Sequence, residues 1–123
     1  MSAEADVLVV DDDEDVRSSM ADILRQAGYG VQEAGSGLEA LDVLSSGPVR
    51  ALLLDLRMPR GDGYAVLAAL ENPPPVVIVS AYEVDKDEQA RLVPKVAAVL
   101  KKPVPPAILL DRMATVVGGG RRP

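Results

Sequence analysis

The groups able to do chemistry in this chain are mostly acids, and they stand directly after apolar runs. V-L-V-V (7–10) is followed by Asp11, Asp12 and Asp13, and A-L-L-L (51–54) by Asp55. V-V-I-V (76–79) is followed by Ser80, and V-A-A-V-L (96–100) by Lys101 and Lys102. Carboxylates gathered at one place repel one another and raise each other's pKa unless a cation joins them. Oxygen-only ligands favour a hard ion such as Mg²⁺, which is often completed by water and a substrate phosphate. A carboxylate can attack phosphorus to give an aspartyl-phosphate. A lysine can balance the charge that results, and a serine hydroxyl can donate to a phosphoryl oxygen. Phosphoryl transfer asks for little beyond such positioning and neutralisation.

Composition removes several other chemistries. The chain has no Cys and no His, so there is no disulfide framework, thiol nucleophile, imidazole base or thiolate metal site. The formal net charge of −6 argues against a direct grip on nucleic acid. No apolar run approaches the roughly 20 residues that span a bilayer, and M-S-A-E-A-D lacks a signal pattern. A cytoplasmic domain with no membrane contact is the expectation. With 123 residues, no Phe, no Trp and three Tyr, one core built from aliphatic side chains is expected.

The polar groups need a scaffold to meet. Continuous apolar runs bounded by turn residues read as strands buried on both faces, here 7–10, 51–54, 76–79 and 96–100, with a shorter, more polar strand at 31–34. Between them Val16, Met20, Ile23, Leu24 and Ala27 recur at helical spacing up to Gly28. Ser36 and Glu39 form a capping-box pattern ahead of Ala40, Leu41 and Leu44. A third helix is expected at 64–70, a weakly marked fourth at 84–93, and a fifth after Pro105-Pro106. Five such alternations predict a doubly wound α/β domain, a five-stranded parallel sheet of flavodoxin-like order 2-1-3-4-5 with the polar strand at an edge. The domain is expected over 1–117, with G-G-G-R-R-P (118–123) a flexible tail or linker start.

In such sheets ligands bind beyond the carboxyl ends of the strands, where the strand order reverses. Asp11, Asp12 and Asp55 would converge there, with Ser80 and one of the two lysines on the far rim. Simpler readings exist for each residue. Asp55 alone could cap the next turn, and Asp13, Glu14 and Asp15 suit a helix N-terminus. Asp11, Asp13 and Asp15 imitate a calcium loop, but the required glycine is Val16 and the twelfth position is Asp22. It is the coincidence of all the strand ends that favours a site.

V-V-D-D-D (9–13), L-L-L-D-L-R-M-P (52–59) with Gly63 following, V-I-V-S-A (77–81) and L-K-K-P (100–103) together resemble the receiver domain of two-component response regulators, over nearly the whole chain. The resemblance implies that Asp55 is the phospho-acceptor and that Asp11 and Asp12 hold Mg²⁺ with Asp55 and the backbone carbonyl of Arg57. It implies that Ser80 is the switch hydroxyl, that Lys102 pairs with the phosphoryl group, and that the Lys102–Pro103 bond is cis. Lys101 is then left to face solvent or a partner. The donor would be a histidine kinase or histidine phosphotransfer protein, and the recipient of the signal a downstream protein or fused output domain. Such a module is a switch more than a conventional enzyme, catalysing its own phosphorylation and dephosphorylation.

Two positions depart from that pattern. Val99 stands where receiver domains usually carry Tyr or Phe, and Gly61 stands where a bulky apolar residue is usual. These motivate an alternative, a pseudo-receiver that binds proteins without being phosphorylated. Arg57 and Tyr82 occupy positions that tune dephosphorylation in the family, and a bulky pair there is expected to hinder water. A flavodoxin-type electron carrier shares the fold class but fails locally, because three acids after the first strand would repel a flavin phosphate.

Overall fold

The computed structural model describes residues 5–58, 63–92 and 96–117. Strands and helices alternate as β1 (Ala5–Val10), α1 (Glu14–Gln26), β2 (Val31–Ala34), α2 (Gly37–Ser46), β3 (Val49–Asp55), α3 (Gly63–Ala69), β4 (Val76–Ser80), α4 (Lys86–Leu92), β5 (Ala98–Lys101) and α5 (Pro106–Val116). All neighbouring strands pair in parallel, in the order β2-β1-β3-β4-β5. This is the doubly wound architecture expected from the alternation.

Side-chain parity along each strand decides which face a residue covers. Leu8, Val10, Leu52, Leu54 and Ile78 meet Ala40 of α2 and Val66 and Leu67 of α3 in one cluster. Val7, Val9, Leu53, Val77 and Val79 meet Met20 and Leu24 of α1 and Leu109 and Met113 of α5 in the other. Both faces of β3 are therefore dry from Ala51 through Leu54, which have no exposure. Each such leucine contributes about 1.5–3 kcal/mol by leaving water.

The helix boundaries follow local chemistry. Asp13 caps α1, its carboxylate accepting from the N–H groups of Asp15 and Val16 at 3.0 and 3.1 Å. Behind α1, Gly28 takes φ +103°, a left-handed conformation that favours glycine, and stops the helix. Ser36 caps α2 by accepting from Glu39 N–H at 3.1 Å. The returning Glu39 carboxylate takes the N–H of Gly35, one residue before the position a capping box would use. Pro105 and Pro106 open α5, where a missing N–H costs nothing.

The structure moves several expected boundaries. β1 and β3 start earlier than their apolar runs because Ala5 pairs with Val49, at an end where Asp6 and Arg50 keep their side chains in reach of water. Strands β3, β4 and β5 carry on through Asp55, Ser80 and Lys101, since backbone pairing ignores side-chain polarity. The fifth strand begins at Ala98 instead of Val96. The fourth helix begins at Lys86, because Val84 is buried in the core and Asp85 accepts from Glu88 N–H as a cap would. Val93, Gly61 and the tail 118–123 lie outside the described residues.

Candidate functional site

Asp55 is the last residue of β3, in register with Val79 of β4, and Ser80 closes β4 opposite Lys101 of β5. Asp11 follows β1 directly. A strand buried on both faces must surface somewhere, and these ends lie on the same side of the sheet because every strand runs the same way. Among the described residues only three polar side chains are buried, and they are Asp11 (0% exposed), Asp55 (6%) and Ser80 (1%). Burying acids this deeply is costly without partners, and the partners are present.

Lys102 supplies the main one. Its Nζ lies 2.6 Å from Asp11 Oδ2 and 3.3 Å from Asp55 Oδ2, so one ammonium bridges the ends of β1 and β3. The Lys102–Pro103 bond is cis, as the resemblance implied, and Lys102 N–H donates to the Ser80 carbonyl at 2.8 Å. Lys101 points elsewhere, pairing with Glu83 at 3.1 Å among exposed side chains. Backbone N–H groups serve the remaining oxygens. Asp13 N–H donates to Asp11 Oδ1 at 2.9 Å, Arg57 N–H to Asp55 Oδ1 at 3.1 Å, and Tyr82 N–H to Ser80 Oγ at 3.1 Å. With its oxygen engaged as an acceptor, the Ser80 hydroxyl still has a proton to donate.

Asp12 is exposed, yet it completes an acidic cluster in which carboxylate oxygens of Asp11, Asp12 and Asp55 lie within 4.8 Å of one another. Three carboxylates, two of them buried, form an all-oxygen donor set of the kind that suits a hard divalent cation. The electrostatics point the same way. Burial raises the pKa of Asp55 above its ordinary 3.8, aided by the nearby Asp11 charge and opposed by Arg57 N–H and Lys102. For Lys102, burial pulls downward, but the hydrogen bond and charge of Asp11 with those of Asp55 more than reverse it, leaving the ammonium held above its ordinary 10.5. A cation beside Asp55 would favour its ionised form.

Gly63, the first residue of α3, donates to the Leu56 carbonyl at 2.9 Å. A Cβ at Gly63 would stand 2.6 Å from the Asp55 carbonyl oxygen and 2.7 Å from Leu56 Cα, so a side chain there would strike the strand end that carries Asp55. Leu56 has no exposure and anchors the turn in the core. Arg57 faces outward. Its guanidinium lies 5.4 Å from the centroid of the Tyr82 ring and 3.5 Å from Glu88 Oε2 of α4. Val99 pairs with Ile78 and packs half-buried against the cluster under α2 and α3.

Sequence reasoning passed over Arg17 of α1. Its Nη1 donates to the Asp11 carbonyl at 2.8 Å and its Nε to Glu33 Oε1 at 3.2 Å. One signal was available: Arg17 shares its helix stripe with Ala21 and Leu24, both buried, where a charge belongs only if it is paired. Beside Lys102 and Ala81 a groove of about 600 Å³ runs along α1 past Val16, Met20 and Ile23.

A five-stranded parallel sheet of this order, with acids at the ends of β1 and β3 and a lysine bridging them, defines a receiver module. The chain belongs to the response regulator receiver domain family, whose model matches residues 7–114. It is similar to the response regulator MprA of Mycobacterium avium (strain 104) and of Mycobacterium tuberculosis (strain ATCC 25618 / H37Rv), 37% identical to each over 114 residues. That match covers 90% of this chain and 50% of either relative, so the chain spans about half the length of the curated relatives it matches. Among solved structures, a CheY-like response regulator receiver domain protein from Methanospirillum hungatei JF-1 has TM-score 0.82 at 30% identity, covering 92% of this chain and 94% of that one. The chemotaxis protein CheY4 of Vibrio cholerae has TM-score 0.83 at 26% identity, covering 94% and 99%. Among the described residues no helix is long and apolar enough to cross a membrane.

Proposed function

We propose that the chain takes a phosphoryl group onto Asp55 from a histidine kinase or histidine phosphotransfer protein, in a reaction that requires Mg²⁺. The carrying observation is the Lys102 ammonium set between Asp11 Oδ2 and Asp55 Oδ2, beside the exposed carboxylate of Asp12. An Asp55 carboxylate oxygen forms the new bond to phosphorus while the bond from phosphorus to the donor's imidazole nitrogen breaks, and the donor keeps that electron pair. Lys102 stands ready to offset the added charge, and the Ser80 hydroxyl can donate its proton to a phosphoryl oxygen. Asp11, Asp12, Asp55 and the carbonyl of Arg57 are the groups we assign to Mg²⁺, which supplies charge neutralisation when bound. The apolar groove along α1 opens beside Lys102 and offers the donor a surface next to the acceptor.

Loading the site draws Ser80 and Lys102 toward the phosphoryl oxygens and shifts a pre-existing equilibrium of the face around α4 and β5. That change is what a downstream protein or a fused output domain reads. Incubation with acetyl phosphate and Mg²⁺, followed by intact mass, should show one added phosphoryl group that is absent in Asp55→Asn. No mass gain with acetyl phosphate or a phosphorylated histidine donor would overturn the reading.

A further inference from the structure

We propose that Arg17 is a positioning residue for the acids that hold the metal, setting Mg²⁺ affinity through the backbone of Asp11. The inference rests on the proposed Mg²⁺-dependent acceptor site and assigns its support to α1 and β2. β1 ends at Val10 and α1 is capped by Asp13, so Asp11 and Asp12 occupy the short connection between the two elements. Something must keep that short connection from relaxing away from the crevice, since a cluster of like charges pushes its own members apart.

Arg17 is placed to do this. Its Nη1 donates to the Asp11 carbonyl at 2.8 Å, while on the other side Asp11 N–H donates to the Ala34 carbonyl at 3.2 Å. The backbone of Asp11 is thus held from both directions, one hold coming from a helix and one from the edge strand. Arg17 is itself fixed, for its Nε lies 3.2 Å from Glu33 Oε1, and Glu33 is gripped in turn by Arg25 at 3.1 Å. Its side chain is 17% exposed. A Cβ at Gly35 would come to 3.1 Å from Nη1, so the β2–α2 turn closes over the guanidinium with little slack. The Asp11 carboxylate that results from this placement is bonded at Oδ1 by Asp13 N–H and at Oδ2 by Lys102.

Only a planar fork of donors fits this arrangement. Nε and Nη1 serve two acceptors on different elements at once, whereas a lysine ammonium on a flexible stem has no such fixed pair. Groups that orient metal ligands typically cost ten- to a hundredfold in metal affinity when removed.

The test uses the sign of the charge effect. Arg17 is a cation near a cation site, so by charge alone Arg17→Gln should tighten Mg²⁺ binding and Arg17→Lys should leave it unchanged. Positioning predicts that both variants bind Mg²⁺ roughly ten- to a hundredfold more weakly, followed by amide chemical shifts during Mg²⁺ titration. The Mg²⁺ concentration that half-saturates phosphorylation by acetyl phosphate should rise by the same factor, with the rate at saturating Mg²⁺ retained. In metal-free protein, hydrogen exchange at the Asp13 amide, which Asp11 Oδ1 holds, should be faster in both variants.

Unaltered Mg²⁺ affinity in Arg17→Lys, or tighter binding in Arg17→Gln, would overturn the inference. So would a lowered unfolding midpoint with metal affinity intact, which is what a purely structural role predicts. The exchange measurement needs no metal: unchanged protection at Asp13 defeats the inference even if the unaltered protein binds no Mg²⁺, an outcome that by itself strikes the proposed function instead.

Discussion

Arg57 sets its guanidinium over the Tyr82 ring, joining the turns that follow β3 and β4. The Arg57 guanidinium stacks 5.4 Å from the Tyr82 centroid, while Arg57 N–H is bonded to Asp55 and Tyr82 N–H to Ser80. Contacts outside the crevice are therefore built on the same two residues as contacts inside it. A cation over an exposed aromatic ring is worth about 0.5–1 kcal/mol.

That stack sets the first prediction. Truncating Tyr82 to Ala, or Arg57 to Ala with its carbonyl untouched, removes the stack and gives water a clearer approach to Asp55. The phosphorylated protein should then lose its phosphoryl group about two- to fivefold faster, the rate equivalent of the cation–π energy. Intact mass followed after removal of the donor measures this, and an unchanged half-life would refute it.

Gly63 gives a prediction about stability and rate together. Gly63→Ala drives a methyl against the Asp55 carbonyl and Leu56 Cα, neither of which can rotate aside. A loss of about 1–3 kcal/mol, typical of overpacking, is expected in urea unfolding. Phosphorylation should slow as well, because the strand end that carries the acceptor is the part displaced.

The raised pKa of Asp55 fixes a pH dependence. Burial, with the Asp11 charge, lifts it above 3.8 in the folded state, so between that pH and the folded-state value the folded protein holds more protons than the unfolded chain. Whatever stability Asp55 contributes is complete below pH 3.8 and is lost as pH rises through the folded-state value. Asp55→Asn has no such ionisation to suffer. Without divalent metal it should melt above the unaltered protein at pH 7, the gap closing as pH falls toward 3.8. Parallel melting curves at both pH values would contradict this.

Divalent metal should act in the opposite sense. Saturating Mg²⁺ stabilises the folded state by mass action, by about 2.7 kcal/mol at a hundredfold excess over its Kd. Asp12→Asn leaves the buried pair intact and should abolish most of that gain. Thermal melts with and without Mg²⁺ at neutral pH provide the check.

How far the sequence could be read depended on what kind of bond holds each feature. The sheet order and the convergence of Asp11, Asp12, Asp55, Ser80 and one of two lysines follow from hydrophobic patterning and from the switch-point rule, which need only residue types; it took the family resemblance to single out Lys102. The true strand ends did not, because Ser80 pairs with Lys101 through backbone atoms that no side chain advertises. Val84 falls inside the stretch expected as the fourth helix because an apolar residue looks alike whether it packs from a helix or from the turn before one. Arg17 escaped notice because its acceptor is a carbonyl, a group every residue has.

The sheet's two borders carry a consequence of their own. β2 and β5 are each four residues long. The first has Glu33 tethered by two arginines, and the second ends on exposed Lys101 bonded to Glu83. Short borders studded with charge make poor templates for another strand. A second copy is thereby denied an easy strand-to-strand addition at either border, and any surface that meets the sheet's ends meets side chains instead of open backbone.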